Sequence, residues 1–285
     1  MTTPQQKSNS AFRARFRPPF AGVLIAGLAV SGLAPQARAV NVDTEIVLLV
    51  DIVQPELSNN DFKRLMNGYA DAFTSSQVID SIQSGVFGRI AVSMMFYGGS
   101  TLQVVSVPWM SISNAAEAQT FASTVRNLSR PNSVVYSDAG SALTAAARSF
   151  GTETGHAGNG YESAAQIIEV ATAGIPSTYM ANATKAAKNN ALASGVDLIN
   201  AIALGTFSSS INNFYSANVI GSTIDGVSPG VTNANFNGGL ASTMNHLLTE
   251  SVQTGVAVSV TSVPEPSALV GLLPATLLLL RRRRN

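Results

Sequence analysis

The chain of 285 residues contains no cysteine, only two histidines and one tryptophan, and few charges for its length: 12% Asp, Glu, Lys and Arg. The missing cysteine excludes disulfides, thiolate catalysis and Cys-based zinc or iron–sulfur sites, so stability has to come from a packed core. His156 and His246 lie far apart in the sequence, and neither stands in an H-E-x-x-H or other recognised metal or nucleophile pattern. A P-loop and a G-x-S-x-G elbow are also missing. "GHAGNG" (155 to 160) has the glycines of a phosphate loop but neither its lysine nor a preceding strand, and reads as an exposed loop. Trp109 is expected to fill space at the end of its strand. These absences argue against an enzyme.

The ends of the chain differ in kind from its middle. Lys7, Arg13, Arg15 and Arg17 precede an apolar run from Phe20 to Leu33, and Ala37-Arg38-Ala39 fits the A-x-A pattern of signal peptidase, so residues 1–39 read as a secretory signal. At the other end, "VPEPSALVGLLPATLLLLRRRRN" joins a Pro-Glu-Pro turn to an apolar stretch from Ser267 to Leu280 and then to Arg281, Arg282, Arg283 and Arg284. By the positive-inside rule such arginines stay cytoplasmic while the upstream chain is exported. At 1.5 Å per residue the apolar stretch covers roughly 21 Å of a roughly 30 Å hydrocarbon core, so snorkelling or local thinning has to supply the rest.

This tail, with Val263, Pro264, Glu265 and Pro266 as its motif, resembles the PEP-CTERM sorting signal of Gram-negative bacteria. The resemblance implies export across the inner membrane, transient anchoring there, processing by an exosortase, and delivery to the cell surface or the extracellular matrix. Signal peptidase and exosortase are then the expected processing partners.

Without both ends the electrostatics reverse. Residues 40–266 keep eight Lys and Arg against all sixteen Asp and Glu, a formal charge of −8, whereas the whole chain carries +1. Nucleic acid is therefore excluded as an expected partner.

Between the ends, hydrophobic periodicity switches repeatedly between strand and helix. "EIVLLVDI" (45 to 52) is a continuous apolar run of the kind buried on both faces of a sheet. Phe62, Leu65, Met66, Tyr69 and Phe73 follow at helical spacing behind the capping candidates of "SNND". "RIAVSMMFY" (89 to 97) and "LQVVSVPW" (102 to 109), split by "GGST", predict an antiparallel hairpin. Helices are predicted over 114–128, 140–150 and 182–194, and strands over 165–172 and 196–204. Beyond Gly205 the pattern weakens to a short segment around Phe214 and Tyr215, an edge strand near "GVSPGVT", and a helix over 235–252. The Val, Ser and Thr rich stretch 253–263 reads as a tether, with a terminal strand as the alternative. The expected fold is α/β: a doubly wound, mostly parallel sheet with one antiparallel edge strand over residues 40–252, then the tether and a sorting tail over 264–285.

The element order, with "FKRLMNGYADAF", "GRIAVSMMFYGG", "VPWMSI", "GSAL" and "IIEVAT", resembles a bacterial domain family of unknown function related to the von Willebrand factor type A fold. That fold carries a metal-ion-dependent adhesion site at the carboxyl ends of its strands, with a D-x-S-x-S loop, a threonine loop and a third loop bearing an aspartate. Here Asp51 matches the first aspartate and Ser141 offers a hydroxyl in the second loop. Val53 and Pro55 replace the two serines, and Ala173 replaces the last aspartate. Magnesium demands near-octahedral oxygen ligation, so this remnant is expected to be degenerate: no cofactor, or at most weakly held magnesium or another divalent cation. Glu56, Asp138 or Thr172 could substitute for the lost ligands, and Asp51 could equally serve as a cap. The expected function is an exported surface or matrix adhesion module for extracellular polysaccharide or a surface protein. The alternative is a structural component of an exopolysaccharide or biofilm matrix without a discrete ligand.

Overall fold

The computed structural model describes residues 39–131, 136–174 and 177–262. The chain divides into two units, Met1–Gln36 and Ala37–Asn285, and the description concerns the second. Ala37, the sorting motif from Val263 to Pro266, the apolar stretch 267–280 and Arg281–Arg284 lie outside the described residues, and Ala39 is their first residue. Among the described residues no helix is long and apolar enough to cross a membrane.

The predicted apolar run forms β2 (Glu45–Asp51), the centre of a sheet flanked by β3 (Ile90–Tyr97) and β6 (Gln166–Thr172), both parallel to it. β7 (Leu198–Leu204) pairs parallel to β6, and the hairpin partner β4 (Gln103–Ile112) closes the other edge antiparallel to β3. Beyond β7 the edge is shared by β8 (Gly221–Ser222, antiparallel) and β9 (Val231–Ala234, parallel). β1 (Val40–Val42) and β5 (Tyr161–Ser163) form a separate parallel pair. This is the doubly wound, mostly parallel α/β fold expected from the sequence, with the two-residue β8 as an addition.

Both faces of the sheet are covered, which is why the strands read as unbroken apolar runs. Ile46, Leu48 and Val50 point into one core with α1 (Asn59–Phe73), α2 (Ser76–Gln83), α3 (Ala115–Arg126) and α7 (Leu240–Ser262). Val47 and Leu49 point into the other with α4 (Ala139–Ser149), α5 (Ala181–Ser194) and α6 (Ser208–Asn218). The helix starts follow capping chemistry. Ser58, Asn114 and Asp138 accept bonds from backbone amides in the first turns of α1, α3 and α4.

The C-terminal part departs from expectation. The helix starts at Leu240 rather than Asn235, and the stretch 253–262, expected as a tether, continues α7 to Ser262. The inward residues there are small: Ser251, Gly255 and Ser259 recur every fourth position and are buried with Val252 and Val256. A Cβ on Gly255 would stand 2.4 Å from Thr44 Cβ, so only glycine permits this approach. Ser259 donates to buried Asp43 at 3.0 Å, whose carboxylate also accepts from the Phe87 and Arg89 amides. A folded region thus extends ten residues past the expected boundary at Val252. Trp109 is half-buried rather than filling the core: it tilts against Phe150, and its Nε1 donates to the Ser149 carbonyl.

Candidate functional site at the carboxyl ends of the strands

Asp51 ends β2, Tyr97 pairs with it at the end of β3, and Thr172 ends β6. In an open α/β sheet this edge is where loops leave the scaffold and ligands bind. Asp51 is buried at 2% exposure, and its neighbours take up both carboxylate oxygens. The Val53 amide donates to Oδ1 at 3.1 Å and the Thr172 hydroxyl to Oδ2 at 2.8 Å. Ser137 supplies a further hydrogen bond to the carboxylate.

The hydroxyls of Tyr215 and Tyr97 lie 3.0 Å apart, with Thr172 beside Tyr215 and Ser137 beside Tyr97. Asp51, Thr172, Tyr215, Tyr97 and Ser137 together make one polar circuit around the carboxylate. Burial pushes the Asp51 carboxyl up to about 6, against the opposing pull of Thr172 and Ser137. Burial also raises both phenols above their usual range, so they stay neutral donors.

The other expected ligands are placed differently. Ser141 donates its hydroxyl to Asp138 Oδ2 at 2.7 Å, while Asp138 Oδ1 accepts from the Ser141 amide, so this pair caps α4. Val53 offers its amide to Asp51 and Pro55 is exposed after a cis peptide bond. Of the three substitute ligands, Thr172 reaches Asp51, Asp138 is committed to the cap, and Glu56 lines the neighbouring cavity, close enough for its charge to raise the Asp51 carboxyl. Magnesium takes about six oxygens at about 2.0–2.1 Å in a near-octahedron. One aspartate bonded to hydroxyls and an amide does not match that requirement. Among the described residues no group of three or more His, Asp or Glu side chains gathers to hold an ion.

Beside this circuit lies a cavity of about 190 Å³, lined by Glu56 before α1, Asp61 in its first turn, Ala173 after β6, Leu204 to Phe207 at and after the end of β7, and Asn235 to Asn237 after β9. Ala173 forms part of its wall. The loops around this edge also carry exposed aromatics: Tyr136 is 49%, Tyr179 96% and Phe207 46% exposed. The sequence reading did not single out Ser137, Tyr97, Tyr215 or these aromatics. The one available signal was position: Tyr97 ends β3 and Phe207 follows the end of β7 by three residues, whereas Ser137, Tyr136, Tyr179 and Tyr215 lie away from the strand ends in the chain.

Fold and site together define a doubly wound, mostly parallel α/β domain with a buried, hydrogen-bonded aspartate at its central strand end. The chain belongs to the family described as "Protein of unknown function (DUF1194)", which residues 41–248 match. No curated protein matches it. Among solved structures it is similar to proximal thread matrix protein 1 from the mussel byssus, at 15% identity and a TM-score of 0.49 over 74% of this chain and 49% of that one. It is also similar to the von Willebrand factor domain of the type V pili tip protein Mfa5 from Porphyromonas gingivalis, at 12% identity and a TM-score of 0.49 over 76% and 97%. The SpRpn10 VWA domain shares 15% identity at a TM-score of 0.47 over 71% and 94%. The chain spans about half the length of the mussel protein. No functional assignment follows from likenesses of this size.

Proposed function

We propose that this chain is an exported adhesion module that binds extracellular polysaccharide or a surface protein through the loops at the carboxyl end of its sheet, without a metal ion. The observation that carries this reading is the hydroxyl circuit around Asp51, which satisfies the carboxylate with Val53, Thr172 and Ser137 in the place where the fold family holds its cation. The exposed Tyr136, Tyr179 and Phe207 on the same edge supply contact surface of the amphipathic, low-entropy kind that recognition sites favour. Retention of the full chain on immobilised exopolysaccharide is expected to be saturable and equal in EDTA and in millimolar magnesium. Loss of retention in EDTA would overturn metal independence, and no saturable retention would overturn adhesion to polysaccharide.

The same proposal places the protein at the cell surface or in the extracellular matrix, after cleavage by signal peptidase near Ala39 and exosortase handling at Val263 to Pro266. Replacing Pro264, Glu265 and Pro266 with alanine is expected to leave an unprocessed precursor in the membrane fraction on an immunoblot. Normal release of that variant would sink the sorting claim.

A further inference from the structure

Several cavities open among the described residues, and the most spacious of these is not the most informative. A groove of about 890 Å³ runs along α7 beside β7 and β8. Its inward polar groups already have partners. Asp197 accepts from the Gln166 amide and the Thr223 hydroxyl, while Asn200 donates to Glu169 and accepts from the Gly230 amide.

The 190 Å³ cavity beside the Asp51 circuit is different, because it retains unmet bonding capacity. Glu56 Oε2 is shielded from solvent and has no hydrogen-bond partner. A buried carboxylate oxygen left unpaired costs free energy that a donor arriving from a ligand would recover. Around it stand Thr206, Asn235 and Asn237; Asn235 Oδ1 already accepts from the Asn237 amide and Asn237 Oδ1 from Arg64, so it is the two side-chain NH₂ groups and the Thr206 hydroxyl that face a ligand as donors. Phe207 and Phe236 add two aromatic rings, and Phe207 is 46% exposed. Gly205 lies in the left-handed region at φ 79°, and this turn carries Thr206 and Phe207 into the cavity wall.

The charge pattern narrows the ligand. An anion would meet Glu56 and Asp61. A strong cation has less to gain, because Asp61 already carries Arg64 at 3.4 Å and accepts the Ser58 hydroxyl. What fits is a neutral molecule with several hydroxyl donors on its edge and an apolar C–H face for the rings. The volume is below the roughly 300 Å³ at which drug-sized pockets begin, the scale of one ring.

We infer that this cavity is a monosaccharide subsite, in which Glu56 accepts a sugar hydroxyl, Thr206, Asn235 and Asn237 bond its neighbours, and Phe207 stacks on the sugar's apolar face. The inference rests on the adhesion reading above and names its ligand class. Saturation-transfer NMR of the full chain with the methyl glycosides of glucose, galactose, mannose and N-acetylglucosamine tests it. At least one glycoside is expected to bind saturably at millimolar concentration. Glu56→Gln and Phe207→Ala are each expected to weaken it about tenfold while the melting temperature stays put. Silence from all four glycosides, variants that bind like the parent, or competition by methylammonium but not by sugars would each overturn the subsite. If both variants still hold immobilised exopolysaccharide at full strength, the subsite fails and the adhesion reading stands; if the parent itself is not retained, adhesion to polysaccharide fails.

Discussion

Raising the pH from about 5 to about 9 is expected to destabilise this protein by on the order of 5 kcal/mol, lowering its Tm by about 10–20 °C. Three buried carboxyls drive the effect. Glu45 is pushed up to about 8 by burial and by neighbouring Glu153, with Asn159 and Ser163 pulling the other way. Glu169 is pushed up to about 7 by burial, against bonds from Ser251 and Asn200, and its Oε2 has no partner. Asp51 is pushed up to about 6, again by burial.

In each case the folded state holds its proton more tightly than the unfolded chain does. Their stabilisation is therefore complete below the unfolded values near 4 and is lost as pH rises through 6, 7 and 8 in turn. This is the reverse of a salt-bridged carboxylate, whose contribution is lost on acidification. Urea unfolding across that range measures it, with Glu45→Gln and Glu169→Gln each flattening the slope. A Tm that is level or rises from about pH 5 to about pH 9 would refute the assignment.

Replacing Asp51 with alanine is expected to cost about 3 kcal/mol, with or without EDTA. The substitution strands the Val53 amide and the hydroxyls of Thr172 and Ser137 in a site closed to solvent, and opens the circuit that runs on through Tyr215 and Tyr97. Asp51→Asn is expected to cost only about 1 kcal/mol, because the amide keeps one acceptor and the hydroxyls can rotate to accept from its NH₂. A metal ligand would behave otherwise, since its removal would matter only while the ion was bound. Equilibrium unfolding of both variants in EDTA and in magnesium separates the cases. An alanine variant as stable as the parent in EDTA would show that the circuit contributes nothing.

Much of the domain was legible in the sequence because local pattern reports burial directly. "EIVLLVDI" has to be covered on both faces, "GGST" cannot hold a crossover between its two strands, and the spacing from Phe62 to Phe73 fits a helix of one period only. The same reading misjudged 253–262 for a physical reason. Its inward positions, Gly255 and Ser259, are small or polar, and they face the core only because Thr44 and Asp43 lie close against them. A helix whose buried face is chosen for close approach does not show as an apolar stripe.

The candidate site divides in the same way. The sequence by itself determined that Val53, Pro55 and Ala173 bring no side-chain oxygen to the strand ends, because residue type is enough to decide that. Only the tertiary structure decided what surrounds Asp51. Ser137, Thr172 and Tyr215 come from three segments more than thirty residues apart in the chain, and strand order alone brings them together. The unpaired oxygen of Glu56 and the rings of Phe207 and Phe236 meet for the same reason: periodicity sets the face a side chain takes within its own element, whereas convergence on a site depends on which strand ends the sheet places side by side.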